Sequence, residues 1–98
     1  MKIIIVGLNH KTSPVEIRER LAFSEEGSTQ ALQSLKEHFA EGEFVVLSTC
    51  NRVELYSAVP AGGGPCPDEL AVFLAQFTQV PLEEFKAHLY VYEDAQRL

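Results

Sequence analysis

Cysteine is scarce in this 98-residue sequence, which contains only Cys50 and Cys66. Two thiols in a chain of this length, without a secretion signal, are too few for a disulfide framework. Long apolar runs are also missing, since no segment approaches the roughly 20 apolar residues that a membrane-spanning helix requires. These absences lead us to expect a single domain in a cytoplasmic protein, with no membrane segment.

Positive charge is limited as well. Eight Lys and Arg residues stand against 14 Asp and Glu residues, so the net charge is −6. A domain whose main task is to grip nucleic acid needs a basic face, and this balance argues against that class while leaving room for a local contact. The three histidines, His10, His38 and His88, lie far apart and match no metal-ligand spacing. We therefore expect no metal site.

The sequence does contain a regular succession of strand and helix patterns. Residues 3–9, IIIVGLN, form the β-branched run that is typical of a central strand. Ser13, Pro14 and Glu16 then predict a capping box at the start of a short helix. That helix is expected to end near Ala22.

Later patterns complete the predicted order of elements. A second helix is predicted after Ser24, whose hydroxyl suits an N-cap. Strands follow over 43–49 and 53–59, and the short break between them predicts an antiparallel hairpin. A helix over 67–78 and a last strand over 89–93 give the order β-α-α-β-β-α-β. This order predicts an α+β, ferredoxin-like split β-α-β fold, with helices on one face of a four-stranded antiparallel sheet.

The predicted topology brings two polar segments together. The first and second strands run in the same direction with the third between them, so both end at one edge of the sheet. Asn9, His10 and Lys11 come at the end of the first strand, and residues 48–50, Ser-Thr-Cys, end the second. We expect the two segments to lie about two strand spacings apart, or roughly 10 Å.

Cys50 is predicted at the tip of the hairpin, where it should be at least partly exposed. Thiolate is the reactive form of cysteine, and nearby positive charge favours it, as Arg52, His10 or Lys11 could provide. A thiol so placed could attack an acyl carbon and hold it as a thioester. Spacing alone leaves a second interpretation open, in which a small residue simply fills a turn.

The residues around this thiol admit two interpretations each. Arg52 could bind a carboxylate or phosphate with its planar fork, oriented by Glu54 on the same strand face, or could form a solvated surface pair. Thr49 could donate its hydroxyl to a substrate or could simply favour the strand, and Asn51 suits a turn. His10 could act as a base or as a cation near the thiol, or could be structural or solvated.

Other polar residues receive structural interpretations. Arg18 lies in the short first helix and is expected on a solvated face. His88 falls at a helix end, where a favourable dipole contact suffices. Tyr90 in the last strand is expected to pack in the core or at the sheet edge, and Cys66 in the Gly-Pro loop receives no role.

Two longer segments carry a family resemblance. GLNHKTSPVEIRERLAF, residues 7–23, and LSTCNRVELY, residues 47–56, resemble the two signatures of glutamyl-tRNA reductase, and the likeness extends to YVYEDA, residues 90–95. The resemblance implies that Cys50 attacks the activated ester of glutamyl-tRNA, releases the tRNA and forms a thioester. It also implies that hydride from NADPH then yields glutamate-1-semialdehyde, in the first step of tetrapyrrole and porphyrin biosynthesis.

The same resemblance implies roles for the neighbours of that cysteine and a larger protein around them. Thr49, Asn51 and Arg52 would belong to a glutamate pocket, with the Arg52 fork on the side-chain carboxylate of glutamate. Family members are several times longer, with a Rossmann-type NADPH domain and a long helix through which they form homodimers. This chain has no GxGxxG pattern. We therefore expect residues 1–98 to be the N-terminal, thiol-bearing fragment of the catalytic domain, unable to carry out the reduction alone.

Family members also carry a functional histidine in an A-x-x-H-L context, shortly after the last strand. The spacing from Glu93 places it just beyond Leu98, whereas a tighter register would put Leu98 itself at that position.

An alternative function of another class is a non-catalytic ferredoxin-like regulatory or interaction module, since many functions share this fold. The STCNR hairpin favours the enzyme, because such a module has no need of a thiol beside an arginine.

Overall fold

The computed structural model describes residues 1–94 of the chain, which form four strands, three α-helices and two 3₁₀ turns. In chain order these are β1 (Lys2–Asn9), α1 (Val15–Leu21), α2 (Glu25–His38), β2 (Glu43–Ser48), β3 (Arg52–Val59), α3 (Pro67–Thr78), the 3₁₀ turns Leu82–Glu84 and Lys86–His88, and β4 (Tyr90–Asp94). The predicted order of elements is confirmed, and the ends of the elements shift only within the usual uncertainty of such boundaries.

The four strands form one antiparallel sheet in the order β2-β3-β1-β4. The central strand β1 pairs with β3 along its whole length, from Lys2 opposite Val59 to Asn9 opposite Arg52. β1 and β2 therefore run in the same direction with β3 between them, as the sequence predicts. This is the α+β, ferredoxin-like split β-α-β arrangement.

The core lies between the sheet and the helices. Alternate residues of β1 and β3 point to this side, and α2 and α3 pack over them. Buried apolar side chains from these four elements and from the segment after α3 are Ile4, Val6, Leu8, Leu35, Val53, Leu55, Val59, Leu70, Leu74 and Phe85. Burying such a side chain contributes about 1.5–3 kcal/mol through the removal of apolar surface from water.

The start of α1 differs from the prediction. Pro14 occupies the N-cap position, and no side-chain hydrogen bond caps this helix. Ser13 instead donates its hydroxyl to the Asn9 carbonyl, within the turn that follows β1. The predicted capping box of Ser13 and Glu16 is therefore wrong, because the turn competes for the same hydroxyl. The predicted cap of α2 is confirmed, since Ser24 Oγ accepts a first-turn N–H at 2.9 Å.

The helices leave the other face of the sheet exposed among the described residues. Apart from Glu54, this open face is largely apolar. Its side chains include Ile3, Ile5, Val45, Leu47, Tyr56 and Tyr92. Val45 is 58% and Tyr92 is 62% exposed. The fold thus covers one face of the sheet with helices and presents the other to solvent.

Gly7 lies on the open face, where β1 and β3 leave no room for a side chain. A Cβ atom added at Gly7 would lie 2.7 Å from Glu54 Cγ and 2.7 Å from the Val53 carbonyl oxygen. Glu54 is the residue directly opposite Gly7 in the register of the two strands. The Glu54 side chain therefore occupies the space that a side chain at position 7 would need.

Gly7→Ala should destabilise the protein, because the β3 backbone cannot move away without disturbing its pairing with β1. We expect the free energy of unfolding to fall by about 1–3 kcal/mol, the usual cost of overpacking, in urea denaturation followed by circular dichroism. Gly64→Ala is the matched control, since its Cβ would meet nothing closer than 3.6 Å. Equal stabilities for the two variants would contradict the close approach of β1 and β3.

Candidate active site

A tight turn between β1 and α1 forms one side of the candidate site. Asn9 closes this turn, because its side-chain oxygen accepts the backbone N–H groups of Lys11 and Thr12 at 2.9 and 3.1 Å. His88 Nδ1 donates to the Thr12 carbonyl at 2.9 Å and holds the turn from a distant part of the chain. His10 and Lys11 are exposed in this turn.

The hairpin between β2 and β3 forms the other side. Thr49 organises its turn: Oγ1 accepts the N–H groups of Asn51 and Arg52 at 3.1 and 3.2 Å. The Thr49 N–H donates to the Arg52 carbonyl at 2.8 Å. Both acceptor positions of the Thr49 hydroxyl are thus used, and among the described residues its proton makes no hydrogen bond. Cys50 lies at the tip as an exposed free thiol.

Arg18 on α1 joins the two sides. Its Nη1 donates to the Ser13 carbonyl at 2.6 Å, and its Nε donates to the Cys50 carbonyl at 3.4 Å. A second link runs from the Phe23 N–H to Ser48 Oγ at 2.9 Å. The end of β1, the start of α1 and the hairpin tip therefore meet at one edge of the sheet.

Arg52 and Glu54 share the open face of β3, as their spacing predicts. One guanidinium nitrogen of Arg52 lies 3.8 Å from Glu54 Oε1, which is an ion-pair distance without a hydrogen bond. Glu54 is only 6% exposed, whereas nearly half of the Arg52 side chain contacts solvent. Within residues 1–94 the Arg52 guanidinium makes no hydrogen bond, so its planar fork is open to an anion.

Two tyrosines hold the buried Glu54 carboxylate. Tyr56 donates its hydroxyl to Oε1 at 2.8 Å, and Tyr90 of β4 donates to Oε2. Burial and then the hydrogen bond to Glu54 raise the pKa of Tyr90 well above its usual range. The hydrogen bond to Glu54 is the main cause of a raised pKa at Tyr56. Two O–H donors and a nearby cation thus compensate for the burial of the carboxylate.

Several of these contacts were missed by sequence reasoning. Arg18 is expected on a solvated face, His88 at a helix end and Tyr90 in simple packing, yet each makes a polar contact at the candidate site. The one sequence signal for the contact between Tyr90 and Glu54 is strand alternation, which places every second residue of a strand on the same face of the sheet. Whether Tyr90 and Glu54 lie on the same face depends on the register of β4 against β1.

The described residues contain no cluster with the chemistry of a metal site. Among residues 1–94, no three His, Cys, Asp or Glu side chains come together in a way that could hold a metal ion. A groove between α2 and α3, lined in part by His38 and Phe73, contains none of the predicted site residues.

The helices within residues 1–94 are too short or too polar to cross a membrane.

The sequence matches a known family over nearly its whole length. Residues 6–98 match the family model described as Glutamyl-tRNAGlu reductase, N-terminal domain. The chain belongs to this family. Among its relatives, the glutamyl-tRNA reductase of Herpetosiphon aurantiacus is 47% identical over 100 residues, and that of Paenibacillus macerans is 45% identical over 96 residues.

The chain is much shorter than these glutamyl-tRNA reductases. The aligned regions cover 99% and 98% of this chain, but only 23% of the Herpetosiphon protein and 22% of the Paenibacillus protein. The chain therefore spans less than a quarter of the length of these relatives.

The fold also resembles that of a solved structure, Glutamyl-tRNA Reductase from Methanopyrus kandleri. The TM-score is 0.59 at 24% sequence identity, over 94% of this chain and 19% of that one. This similarity concerns the fold. In the present chain the two segments that resemble the glutamyl-tRNA reductase signatures, 7–23 and 47–56, meet at the edge of the sheet where β1 ends and the β2–β3 hairpin turns. The position expected for the family histidine, at or just beyond Leu98, lies outside the described residues.

The resemblance to glutamyl-tRNA reductase implies NADPH, but the described residues do not fit a dinucleotide. Such a cofactor is held by a Gly-rich turn after a parallel strand, with its phosphates at a helix N-terminus. The Gly-rich loop 60–66 does precede α3, yet Asp68 and Glu69 lie in the first helical turn. Glu69 Oε1 accepts the Cys66 N–H at 2.9 Å, where a phosphate would have to bind.

The tyrosine cluster predicts a loss of stability at alkaline pH. The pKa of Tyr90 is higher in the folded than in the unfolded chain. Its contribution to stability is therefore complete below the ordinary tyrosine pKa of about 10 and declines as the pH rises above that value. Thermal unfolding measured between neutral and strongly alkaline pH should show this decline.

Glu54→Gln removes the negative charge that faces the Tyr90 hydroxyl, so Tyr90 should ionise at a lower pH than in the wild-type protein. Tyrosinate absorbance measured against pH reports this shift. Glu93→Gln is the control on the same strand as Tyr90, because Glu93 is exposed. If both variants titrated alike, the Glu54 carboxylate would not be the partner of Tyr90.

Proposed function

We propose that this chain is the thiol-bearing, glutamate-recognising N-terminal part of the catalytic domain of a glutamyl-tRNA reductase. The complete enzyme would be an oxidoreductase that reduces glutamyl-tRNA to glutamate-1-semialdehyde with NADPH, in the first step of tetrapyrrole and porphyrin biosynthesis. The observation that carries the proposal is the exposed thiol of Cys50 at the hairpin tip, two residues before an arginine whose guanidinium makes no hydrogen bond within residues 1–94. A cysteine with a purely structural role favours buried, apolar surroundings.

Cys50 is the nucleophile in this proposal. Its thiolate attacks the carbonyl carbon of the aminoacyl ester and forms an S–C bond. The bond from that carbon to the ribose oxygen breaks, and the oxygen takes a proton as the tRNA leaves. The products are a glutamyl thioester on Cys50 and a free hydroxyl on the tRNA.

Thr49 and Asn51 flank the nucleophile and complete the proposed pocket. The Thr49 hydroxyl uses its acceptor positions within the turn, which leaves its proton to donate to an oxygen of the substrate. Asn51 is exposed beside the thiol, and its side-chain amide offers both a donor and an acceptor.

Arg52 provides recognition of the glutamate side chain. Its guanidinium can bind a carboxylate through two parallel hydrogen bonds, which no uncharged side chain of similar size can reproduce. Glu54 lies 3.8 Å away and attracts the guanidinium without occupying its donors. An aminoacyl group that lacks the carboxylate would leave the Arg52 fork unpaired, which disfavours it as a substrate.

The reduction itself is assigned to parts of the protein outside the described residues. Because residues 1–94 do not fit NADPH, the isolated chain should form at most a thioester that water then hydrolyses. In the proposal the rest of the protein supplies the NADPH-binding and dimerisation domains, and the complete enzyme is a cytoplasmic homodimer.

The open face of the sheet favours a second candidate, a non-catalytic ferredoxin-like interaction module. Its exposed apolar residues, among them Val45 and Tyr92, are the kind of surface through which such modules bind partners. The two candidates differ in one measurable respect, since only the enzyme depends on the thiol.

Cys50→Ser in the complete enzyme should abolish semialdehyde formation, because a serine hydroxyl is not ionised near neutral pH and cannot form the thioester. The measurement is production of the semialdehyde from glutamyl-tRNA and NADPH. Cys66→Ser is the matched control, since this second exposed thiol precedes α3, beyond the opposite end of β3. Wild-type activity in Cys50→Ser would overturn the proposal and favour the interaction module.

Arg52→Lys should weaken substrate use while leaving the fold intact, because it keeps the charge and loses the planar fork. We expect kcat/KM for glutamyl-tRNA to fall roughly 10- to 100-fold, which corresponds to about 1.5–3 kcal/mol for a charge-assisted hydrogen bond. Arg20→Lys is the control, because Arg20 pairs with Glu84 instead. An unchanged kcat/KM in Arg52→Lys would mean that Arg52 does not bind the carboxylate.

A further inference from the structure

We propose that Arg18 is a positioning residue for Cys50, which holds the peptide group after the thiol-bearing residue in one orientation. The inference rests on the proposed function in one respect, namely that Cys50 is the nucleophile. Both hydrogen-bond partners of the Arg18 side chain are backbone carbonyls. Arg18 therefore acts on the chain that carries the thiol.

The peptide group between Cys50 and Asn51 is held at both ends. Its N–H, from Asn51, donates to Thr49 Oγ1 at 3.1 Å. Its carbonyl, from Cys50, accepts from Arg18 Nε at 3.4 Å. Because a peptide group is planar and rigid, the two bonds together oppose its rotation as a unit. The ψ angle of Cys50 is thereby restrained, and with it the direction of the Cα–Cβ bond relative to the following strand.

Arg18 is itself anchored to the central strand. Its Nη1 donates to the Ser13 carbonyl at 2.6 Å, and Ser13 is buried. The Ser13 N–H and hydroxyl both donate to the Asn9 carbonyl at 3.0 Å, at the last residue of β1. A guanidinium holds its donors in a fixed plane. The hairpin tip is therefore tied to the end of β1 through a short series of hydrogen bonds.

Arg20, on the same short helix, makes a different contact and provides the comparison. Its Nη1 lies 2.6 Å from Glu84 Oε1 in an exposed ion pair, and such a pair contributes little to stability. In the part of the chain that the structure describes, Arg18 forms no ion pair. The two arginines thus share a helix and a charge, and only Arg18 contacts the hairpin.

Hydrogen exchange of the Asn51 amide in this chain tests the restraint directly. Arg18→Gln shortens the side chain and removes the Nη1 anchor to Ser13, so no fixed fork holds the Cys50 carbonyl. The peptide group should then rotate more freely, and the amide should exchange roughly tenfold faster. Arg20→Gln should leave the exchange rate unchanged. Equal exchange rates in the two variants would overturn the proposal.

Arg18→Lys separates the geometry of the side chain from its charge. Lysine keeps the positive charge but replaces the planar fork with a point donor on a flexible stem. Exchange as fast as in Arg18→Gln supports positioning by the fork, whereas the wild-type rate would overturn it. Circular dichroism of each variant checks the fold, and Arg18→Lys carries the test alone if Arg18→Gln unfolds.

Single-turnover thioester formation in the complete enzyme tests the consequence for chemistry. Arg18→Gln should slow this step roughly tenfold at saturating glutamyl-tRNA, with KM unchanged, because it alters the reacting geometry and no substrate contact. Arg20→Gln should change neither value. Equal rates in the two variants would overturn the positioning role.

The failure of the proposed function would look different. If the wild-type enzyme formed no thioester at all, the proposed function would fall, and with it the catalytic purpose of Arg18. Exchange of the Asn51 amide would still decide whether Arg18 holds the hairpin tip.

Discussion

The pairing of β1 with β3 is the constraint on which the rest of the structure depends. Its register sets Asn9 opposite Arg52 and Gly7 opposite Glu54, so that both polar segments end at one edge of the sheet. A shift by one residue would turn every β3 side chain to the other face. Leu55 would then leave the core, and the Glu54 carboxylate would enter it without its tyrosine partners.

The buried carboxylate links the stability of the fold to the proposed recognition of substrate. A buried charge is costly unless it is paired and hydrogen-bonded. Here Tyr56 and Tyr90 donate to Glu54, while Arg52 stays at ion-pair distance and makes no guanidinium hydrogen bond within residues 1–94. The carboxylate is thus satisfied by neutral hydroxyls, and the cation that it attracts remains available to an anion from solution.

The fold could be predicted because local patterns and global topology agree. The alternation over 53–59, the Ser24 cap and the Gly-Pro loop each predict the element that the structure contains, and together they allow few chain paths. The same agreement brought Cys50 to the sheet edge that carries the end of β1. The cap predicted at Ser13 failed because its hydroxyl turns toward the Asn9 carbonyl, to which it donates, and accepts no N–H of the helix.

The contacts that complete the candidate site could not be predicted in the same way. Arg18 and the Cys50 carbonyl are 32 residues apart, and His88 and the Thr12 carbonyl are 76 apart. No local pattern specifies such pairs, because they depend on where helices and turns pack against the finished sheet. The roles of Thr49, Asn51 and Arg52 as a glutamate pocket stay a prediction.

A thiol on an exposed hairpin tip has a consequence for the fate of whatever it carries. A partner as large as a nucleic acid can reach the sulfur of Cys50 without passing through a channel. The same openness admits water to any acyl group that rests there, so hydrolysis would compete with onward transfer from the first moment. In the proposed enzyme, the lifetime of the acyl group on Cys50 is then a quantity that the rest of the protein must control.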